Sequence, residues 1–293
     1  MTISVIGIGR LGGALALALA EAGYEIENLI TTHIENTEKI AALINPRPKI
    51  LSPTELGKIS SEIIFIATQD FKIAEIAENL VKNLQHKPKV FHTSGALSSE
   101  ILENLRAIGC QVGSFHPLVS ISDSRLGKER FRNAFFCVEG DAKAVETAKN
   151  IVEDLGGKSF SIKTKYKTLY HASAVTACGH LVALIDAAIE MLSKCGLDED
   201  EAKNVLLPLI ESTIENLKTQ TTSEALTGTF ARADFETFEK HLETLRENVS
   251  DEALRIYLDL GERSTHLAER EGANRENLEK IRETILLAKK KFK

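Results

Sequence analysis

The stretch Ile3-Ser4-Val5-Ile6-Gly7-Ile8-Gly9-Arg10-Leu11-Gly12-Gly13-Ala14-Leu15-Ala16 decides how the first half of this chain folds. A short β-rich run passes through Gly-x-Gly-x-x-Gly straight into an alanine- and leucine-rich helical pattern. In that context the glycines permit a tight turn, a close backbone approach to a pyrophosphate and close packing of helix on strand. The helix N-terminus adds free N–H groups and the positive end of its dipole. Gly7, Gly9, Arg10, Leu11 and Gly12 are therefore the first candidate cofactor-binding residues, with a purely structural glycine turn as the alternative.

Outward from this turn, β-rich runs at 3–8, 26–31, 63–68, 89–93, 111–115 and 134–138 alternate with helical patterns near 11–22, 37–44, 71–84, 98–107 and 142–155. Such alternation predicts a parallel sheet covered by helices, joined by connections long enough for right-handed crossovers. After Gly156-Gly157 the β-rich runs stop, and 3.6-residue periodicity predicts helices near 166–195, 199–218, 235–247, 251–270 and 275–291. Asp198 with Glu201 reads as a capping box, and Ser250 as the cap of the helix that follows it. The predicted fold is α/β: a Rossmann-like parallel-sheet domain over 1–160 that binds the dinucleotide, then an all-helical domain over 161–293.

Composition narrows the function. A length of 293 residues suits two domains, and 43% hydrophobic with 27% charged residues predicts a real core. The formal charge of −6, from 36 basic and 42 acidic side chains, gives no general attraction for phosphate backbones, and 5% aromatics with no Trp leave few stacking platforms. No nucleic acid is expected as a partner. Cys110, Cys137, Cys178 and Cys195 are scattered without a Cys-x-x-Cys pair, which predicts reduced thiols, no metal site and a cytoplasmic setting. Met1-Thr2 leads directly into the first strand pattern, so no secretory leader is expected. The apolar stretch 172–192 is interrupted by His180, Asp186 and Glu190 and reads as a poor membrane span. No membrane association is expected.

Chemistry-bearing residues fall where strands end. The second strand ends in Thr31-Thr32-His33 with no carboxylate before Glu35. A carboxylate there grips the ribose hydroxyls in NAD-binding chains, whereas hydroxyls and an imidazole accommodate a 2′-phosphate, so NADP is expected over NAD. A solvated loop histidine is the alternative for His33. Thr68-Gln69-Asp70 follows another strand and brings Thr68 and Gln69 to the same edge. His92-Thr93-Ser94-Gly95 and Gly113-Ser114-Phe115-His116-Pro117 end two more strands, making Ser94 and His116 candidate catalytic residues, with ordinary structural roles as the alternative. In the helical half Lys167, His171 and Cys178 share one helix face. The segment Leu226-Thr227-Gly228-Thr229-Phe230-Ala231-Arg232-Ala233-Asp234 is a donor-rich turn. Thr227 and Gly228 are candidate substrate contacts there, and Arg232 can hold a carboxylate bidentately, with an Arg232–Asp234 structural pair as the alternative.

The glycine motif with Arg10, His92 to Leu97, Gly113 to Leu118, Tyr170-His171-Ala172-Ser173-Ala174, and the Leu226 to Asp234 segment together resemble one family. It is the Rossmann-like family carrying the C-terminal domain of unknown function 2520. This family is similar to the NADP-dependent group of ketopantoate reductase, pyrroline-carboxylate reductase and 6-phosphogluconate dehydrogenase, and the resemblance implies a helical domain of the last enzyme's type. Gly179 and Thr229 depart from the Asn and Pro frequent at those places. The Ser94 and His116 pair also resembles the serine and histidine of prephenate and arogenate dehydrogenases.

The resemblance implies NADPH-dependent reduction of a small 2-oxo acid, with ketopantoate going to pantoate in pantothenate synthesis as the leading expectation. Lys167 or His171 would supply the proton, with His116 as the alternative donor. Ser94 would orient the carbonyl, and Arg232 would hold the substrate carboxylate. Two other readings stand beside it: a prephenate- or arogenate-type dehydrogenase, and a non-catalytic NADP(H)-binding sensor. The resemblance also implies a homodimer through the helical domain. The apolar residues Leu254, Ile256, Leu258 and Leu260 with Ile281, Ile285 and Leu286 are candidates for its surface, or for packing inside one chain.

Overall fold

The computed structural model describes residues 1–292, which divide between Cys178 and Gly179 into two compact units. In the first unit, β1 (Thr2–Ile6), α1 (Arg10–Glu21), β2 (Glu25–Ile30), α2 (Ile34–Ala41) and β3 (Lys49–Leu51) wind in one direction from the centre of a sheet. From there β4 (Ile63–Ile66), α3 (Asp70–Asn83), β5 (Lys89–His92), α4 (Glu103–Ala107) and β6 (Gln111–Pro117) wind in the other. The eight-stranded order is β3-β2-β1-β4-β5-β6-β7-β8, closed by α5 (Ser124–Gly127), β7 (Phe135–Gly140), α6 (Ala142–Asp154) and β8 (Lys158–Phe160). The winding reverses between β1 and β4, which is where open α/β sheets bind ligands beyond the carboxyl ends of their strands.

The sheet departs from the expected all-parallel arrangement at one place. β7 runs antiparallel to β6, in a register that sets His116 opposite Cys137 and Ser114 opposite Glu139. The connection between them carries only one-turn helices, α5 and the 3-10 turn Lys128–Phe131, so the chain folds back at the carboxyl edge and does not cross the sheet. β3 and β8 also escaped the sequence reading, because three residues are too short to display a two-residue period.

Two apolar layers cover the sheet, one built around Ile3, Val5, Leu15 and Leu19, the other around Ile64, Ile66, Leu80 and Leu102. A row of rings crosses four strands on the first face. Phe65 stacks on Phe91 at 5.4 Å, and Phe115 meets Phe65 and Phe136 at 5.1 Å each. Such pairs contribute about 0.5–1.5 kcal/mol each beyond burial. They lock β4 to β7 side by side and so set where their polar ends emerge.

The sheet ends at Phe160, near the seam expected at 160, while the division between the units falls further on, inside α7 (Lys167–Ser193). The early turns of α7 pack on the sheet edge and therefore belong to the first unit. In the second unit, α8 (Glu199–Thr219), α10 (Phe235–Asn248), α11 (Asp251–Arg270) and α12 (Arg275–Lys289) follow the expected spans closely, while the segment read as a turn holds the one-turn helix α9 (Gly228–Ala231). Asp198 accepts from Glu201 N–H at 2.9 Å while Glu201 accepts from Asp198 N–H at 3.1 Å, and Ser250 Oγ accepts from Ala253 N–H at 3.1 Å, so both expected caps form.

Leu254, Leu258, Ile281 and Ile285 fill the core of this unit with Phe238 and Leu242, which leaves only Leu260 and Leu286 of the expected dimer surface markedly exposed. The exposed apolar surface lies elsewhere. Leu181, Val182 and Leu184 on α7 and Val205, Leu209 and Ile214 on α8 face solvent, and Ala202 is the one buried residue of α8. An 18-residue window within the helical segment Thr164–Ser193 has a mean hydropathy of 1.6, so by length and composition alone this helix passes for a membrane span.

Candidate functional site

Gly7, with φ at 94°, turns the chain out of β1 so that its carbonyl meets the start of α1. A Cβ on Gly12 would lie 1.9 Å from the Gly7 carbonyl oxygen, so the third glycine of the motif packs helix against turn. Gly9 has nothing within 4 Å of its Cβ position, and its side opens on a cleft of about 440 Å³. No side chain caps the first turn of α1, so its N–H groups remain available to an anion.

Gly7, Gly9, Thr32, His33, Thr68 and Gln69 all line this cleft, as their positions after β1, β2 and β4 require. Thr31 lines it too and accepts the His33 N–H at 2.9 Å through its hydroxyl. Thr68 Oγ1 is buried with no hydrogen-bond partner. An orphaned hydroxyl, an open glycine face and an uncapped helix start fit a dinucleotide with its pyrophosphate over the turn. Of the other two candidates here, Arg10 is exposed outside the cleft lining and Leu11 packs its side chain on the apolar layer, both in the uncapped first turn of α1. The cleft gains a cation that sequence reading missed, Lys72 in the first turn of α3.

A second cluster forms at the same sheet edge, where β5 and β6 end and α7 begins. Lys167 is only 2% exposed and donates from Nζ to Ser114 Oγ at 2.8 Å, with Cys137 Sγ at 3.6 Å and the Tyr170 ring centroid at 5.6 Å. Nδ1 of His116 lies 2.7 Å from the Tyr170 hydroxyl. The His116 and His171 rings meet edge to face with centroids 6.1 Å apart. Both crowd against Gly95: a Cβ there would lie 2.5 Å from His171 Cδ2 and 2.7 Å from His116 Nε2, so only glycine permits the approach.

Ser94 is buried, and its Oγ accepts the N–H groups of Ala96 at 3.2 Å and Leu97 at 3.0 Å. Its oxygen thus holds the turn after β5, and only its hydroxyl proton is left to donate. His92 is fully buried, with Nδ1 accepting the Ser94 N–H at 3.2 Å. Burial, followed by the nearby Lys167 charge, pushes His92 down to about 4. Burial, then Lys167, His171 and His92, push His116 down to about 3. Burial raises the Tyr170 phenol and the Cys137 thiol, which keep their protons. At neutral pH His116 is therefore a neutral imidazole, suited to donating a hydrogen bond and poorly suited to delivering a proton.

Ser94, His116, Lys167 and His171 thus converge within the first unit. Thr227, Gly228 and Arg232 belong to the second, where Thr227 precedes α9 and Arg232 stands 3.9 Å from Asp234 in a loose, largely exposed pair. Ser114, Cys137 and Tyr170 were not singled out as site residues. Tyr170 had a legible signal, since it lies three residues from Lys167 on a helix and so shares its face. Cys137 had none, because its approach depends on the reversed β7.

The fold and these two clusters define a two-domain dinucleotide-binding protein. A Rossmann-like domain profile matches residues 1–117, and the profile of the domain of unknown function DUF2520 matches residues 134–264. The chain thus joins a Rossmann-like domain to a DUF2520 domain. It is 24% identical over 228 residues to YfjR of Bacillus subtilis strain 168, described as an uncharacterized oxidoreductase, covering 73% of this chain and 75% of that one. It superposes on protein TM1727 from Thermotoga maritima with a TM-score of 0.72 at 24% identity, covering 92% and 99% of the two chains. It superposes on the NADP-bound pyrroline carboxylate reductase of Plasmodium falciparum with a TM-score of 0.59 at 16% identity, covering 92% and 98%. At these identities the structural likeness is one of fold.

Proposed function

We propose that the protein is an NADPH-dependent oxidoreductase that reduces the carbonyl of a small 2-oxo acid, with ketopantoate the leading substrate. One observation carries the reading: the buried Lys167 ammonium has no carboxylate within ion-pair distance among the described residues, beside a neutral imidazole at the carboxyl edge of a dinucleotide-binding sheet. A buried charge without a counterion is costly, and an anionic substrate offsets that cost on binding. The descriptions of YfjR as an oxidoreductase and of the Plasmodium reductase as NADP-bound support the same class.

NADPH supplies the hydride when bound. The glycine turn and α1 hold its pyrophosphate, while Thr32, His33 and Lys72 suit a 2′-phosphate because none of them is acidic. Lys167 draws in the substrate carboxylate, and the His116 imidazole and the Ser94 hydroxyl proton polarise its carbonyl. His171, half-buried beside His116, delivers the proton to the developing alkoxide. Absorbance at 340 nm should fall when NADPH meets ketopantoate or a related 2-oxo acid. No turnover with 2-oxo acids or imines, despite tight NADPH binding, would replace this reading with that of a sensor.

The same proposal includes a homodimer built on α7 and α8. A helix of 21 residues with one buried residue has little tertiary packing to stabilise it, and isolated helices of that length are marginal in water. The partner has to be available in step with every chain, which a second copy guarantees. Light scattering in detergent-free buffer should give twice the chain mass. A monodisperse monomer, or a protein held in solution only by detergent, would overturn the dimer.

A further inference from the structure

We propose that Tyr170 is a positioning residue that holds His116 as the neutral imidazole protonated on Nε2, so that His116 donates a hydrogen bond to the reacting oxygen and surrenders no proton. The identity of that oxygen rests on the reductase reading; the state of the imidazole does not. The Tyr170 hydroxyl lies 2.7 Å from Nδ1, and this is its one hydrogen-bond partner among the described residues. A phenol that keeps its proton and has a single acceptor in reach donates to it, which places the lone pair on Nδ1 and the hydrogen on Nε2. With the tautomer reversed, Nδ1–H would donate to the phenol oxygen and leave the phenol proton without an acceptor in the chain.

The surroundings hold both rings in this arrangement. Tyr170 packs edge-on against Phe160 with centroids 5.8 Å apart and lies under the Lys167 ammonium, so its hydroxyl is aimed by the sheet edge and by α7. The titratable groups facing His116 are Lys167 and His171 from α7 and His92 from β5, with the neutral thiol of Cys137 opposite it on β7. None is a carboxylate, so nothing compensates a positive charge on the ring, and burial makes such a charge costly. Nε2 lies on the Gly95 side of the ring, where the missing side chain lets the imidazole take this orientation. A neutral imidazole aimed in this way polarises a carbonyl as an electrophile.

The imidazole state can be read without substrate. Long-range proton–nitrogen correlation spectra of the full-length protein with labelled histidine, assigned by His116→Gln, should show His116 neutral and protonated on Nε2 from pH 5.5 to 8. Tyr170→Phe keeps the ring and its packing but removes the hydroxyl. In that variant the proton should spread over both nitrogens, and kcat should fall on the order of tenfold with KM for NADPH unchanged, less than the roughly 10²-fold loss of an essential donor. His116→Gln, whose amide N–H can stand in for Nε2–H, should retain more activity than His116→Ala. A cationic or Nδ1-protonated ring at pH 7 in the wild type would overturn the proposal, as would a Tyr170→Phe protein with unchanged tautomer and unchanged kcat. If Tyr170→Phe fails to fold, the wild-type spectrum decides. If the spectrum is as expected but no 2-oxo acid is reduced, the reductase reading falls and the tyrosine-fixed imidazole stands.

Discussion

Lys167 Nζ lies 2.8 Å from Ser114 Oγ, a pairing that joins the first turn of a helix to the middle of a strand 53 residues earlier in the chain. A hydroxyl satisfies one N–H of the ammonium and neutralises none of its charge. The folded protein therefore keeps a desolvated cation at the sheet edge, an expense that binding an anion can offset.

Lys167→Met removes that cation and fills much of the same volume. The expected result is a higher melting temperature, reflecting about 1 kcal/mol or more of stabilisation, together with a loss of on the order of 10²-fold in kcat/KM. Thermal melts and NADPH oxidation measure the two sides. A variant that is both active and less stable would make Lys167 a structural tie.

Gly9 and Gly12 should respond differently to the same substitution. Gly9→Ala meets nothing in the protein, so the melting temperature should hold while NADPH affinity falls about tenfold, or ~1.4 kcal/mol. Gly12→Ala drives a Cβ to within 1.9 Å of the Gly7 carbonyl and should disrupt the turn itself, lowering stability as well. Fluorescence titration with NADPH and calorimetry separate the two. Full NADPH affinity in Gly9→Ala would move the pyrophosphate away from the turn.

Gly95→Ala places a methyl against both imidazoles. NADPH binding should persist, because the cofactor cleft is lined by other residues, while turnover falls by about 10²-fold as His116 and His171 are displaced. Steady-state kinetics beside a binding titration gives the answer, and unchanged kcat would remove these histidines from the reaction.

The absence of a carboxylate after β2 sets the expected cofactor preference. Thr32→Asp introduces the group that grips a ribose 2′-hydroxyl and repels a 2′-phosphate, so the ratio of kcat/KM for NADPH over NADH should drop by about tenfold or more. An unaltered ratio would place the 2′-phosphate elsewhere, away from β2.

Acid should weaken the protein through its buried imidazoles. His92 and His116 stand at about 4 and about 3 in the folded chain, against roughly 6.5 when unfolded. Because the folded values are lowered, stability is fully present above about pH 6.5. It is lost as the pH falls toward the folded values, since the unfolded chain takes up protons that the native one refuses. The loss should reach on the order of a few kcal/mol by pH 4. Urea midpoints at pH 7.5, 5.5 and 4.5 should fall in that order, with a shallower slope in His116→Gln. A midpoint constant across that range would mean that these rings are not held neutral.

Much of this architecture was legible because it is written in local signals. The motif Gly7 to Gly12, the alternation of β-rich and helical runs, and the caps at Asp198 and Ser250 each depend on residues within a few positions of one another. That the strand ends Thr32, His33, Thr68 and Gln69 share one cleft was legible for the same reason, since parallel strands bring their carboxyl ends to one edge. The two three-residue strands, and the burial of Leu254, Leu258, Ile281 and Ile285 inside one unit, were not legible, because a helix face reads as apolar whatever covers it.

The sequence by itself determined the order of elements, the dinucleotide turn and the class of residues at each strand end, since all of these follow from short-range periodicity and backbone sterics. Only the tertiary structure decided that β7 turns back beside β6, that Tyr170 meets His116 across 54 residues, and that Lys167 is buried beside Ser114 and Cys137 with no carboxylate in ion-pair reach among the described residues. Those contacts depend on how the sheet edge and the start of α7 pack together. Packing of that kind is a cooperative property of distant residues, and no local pattern encodes it.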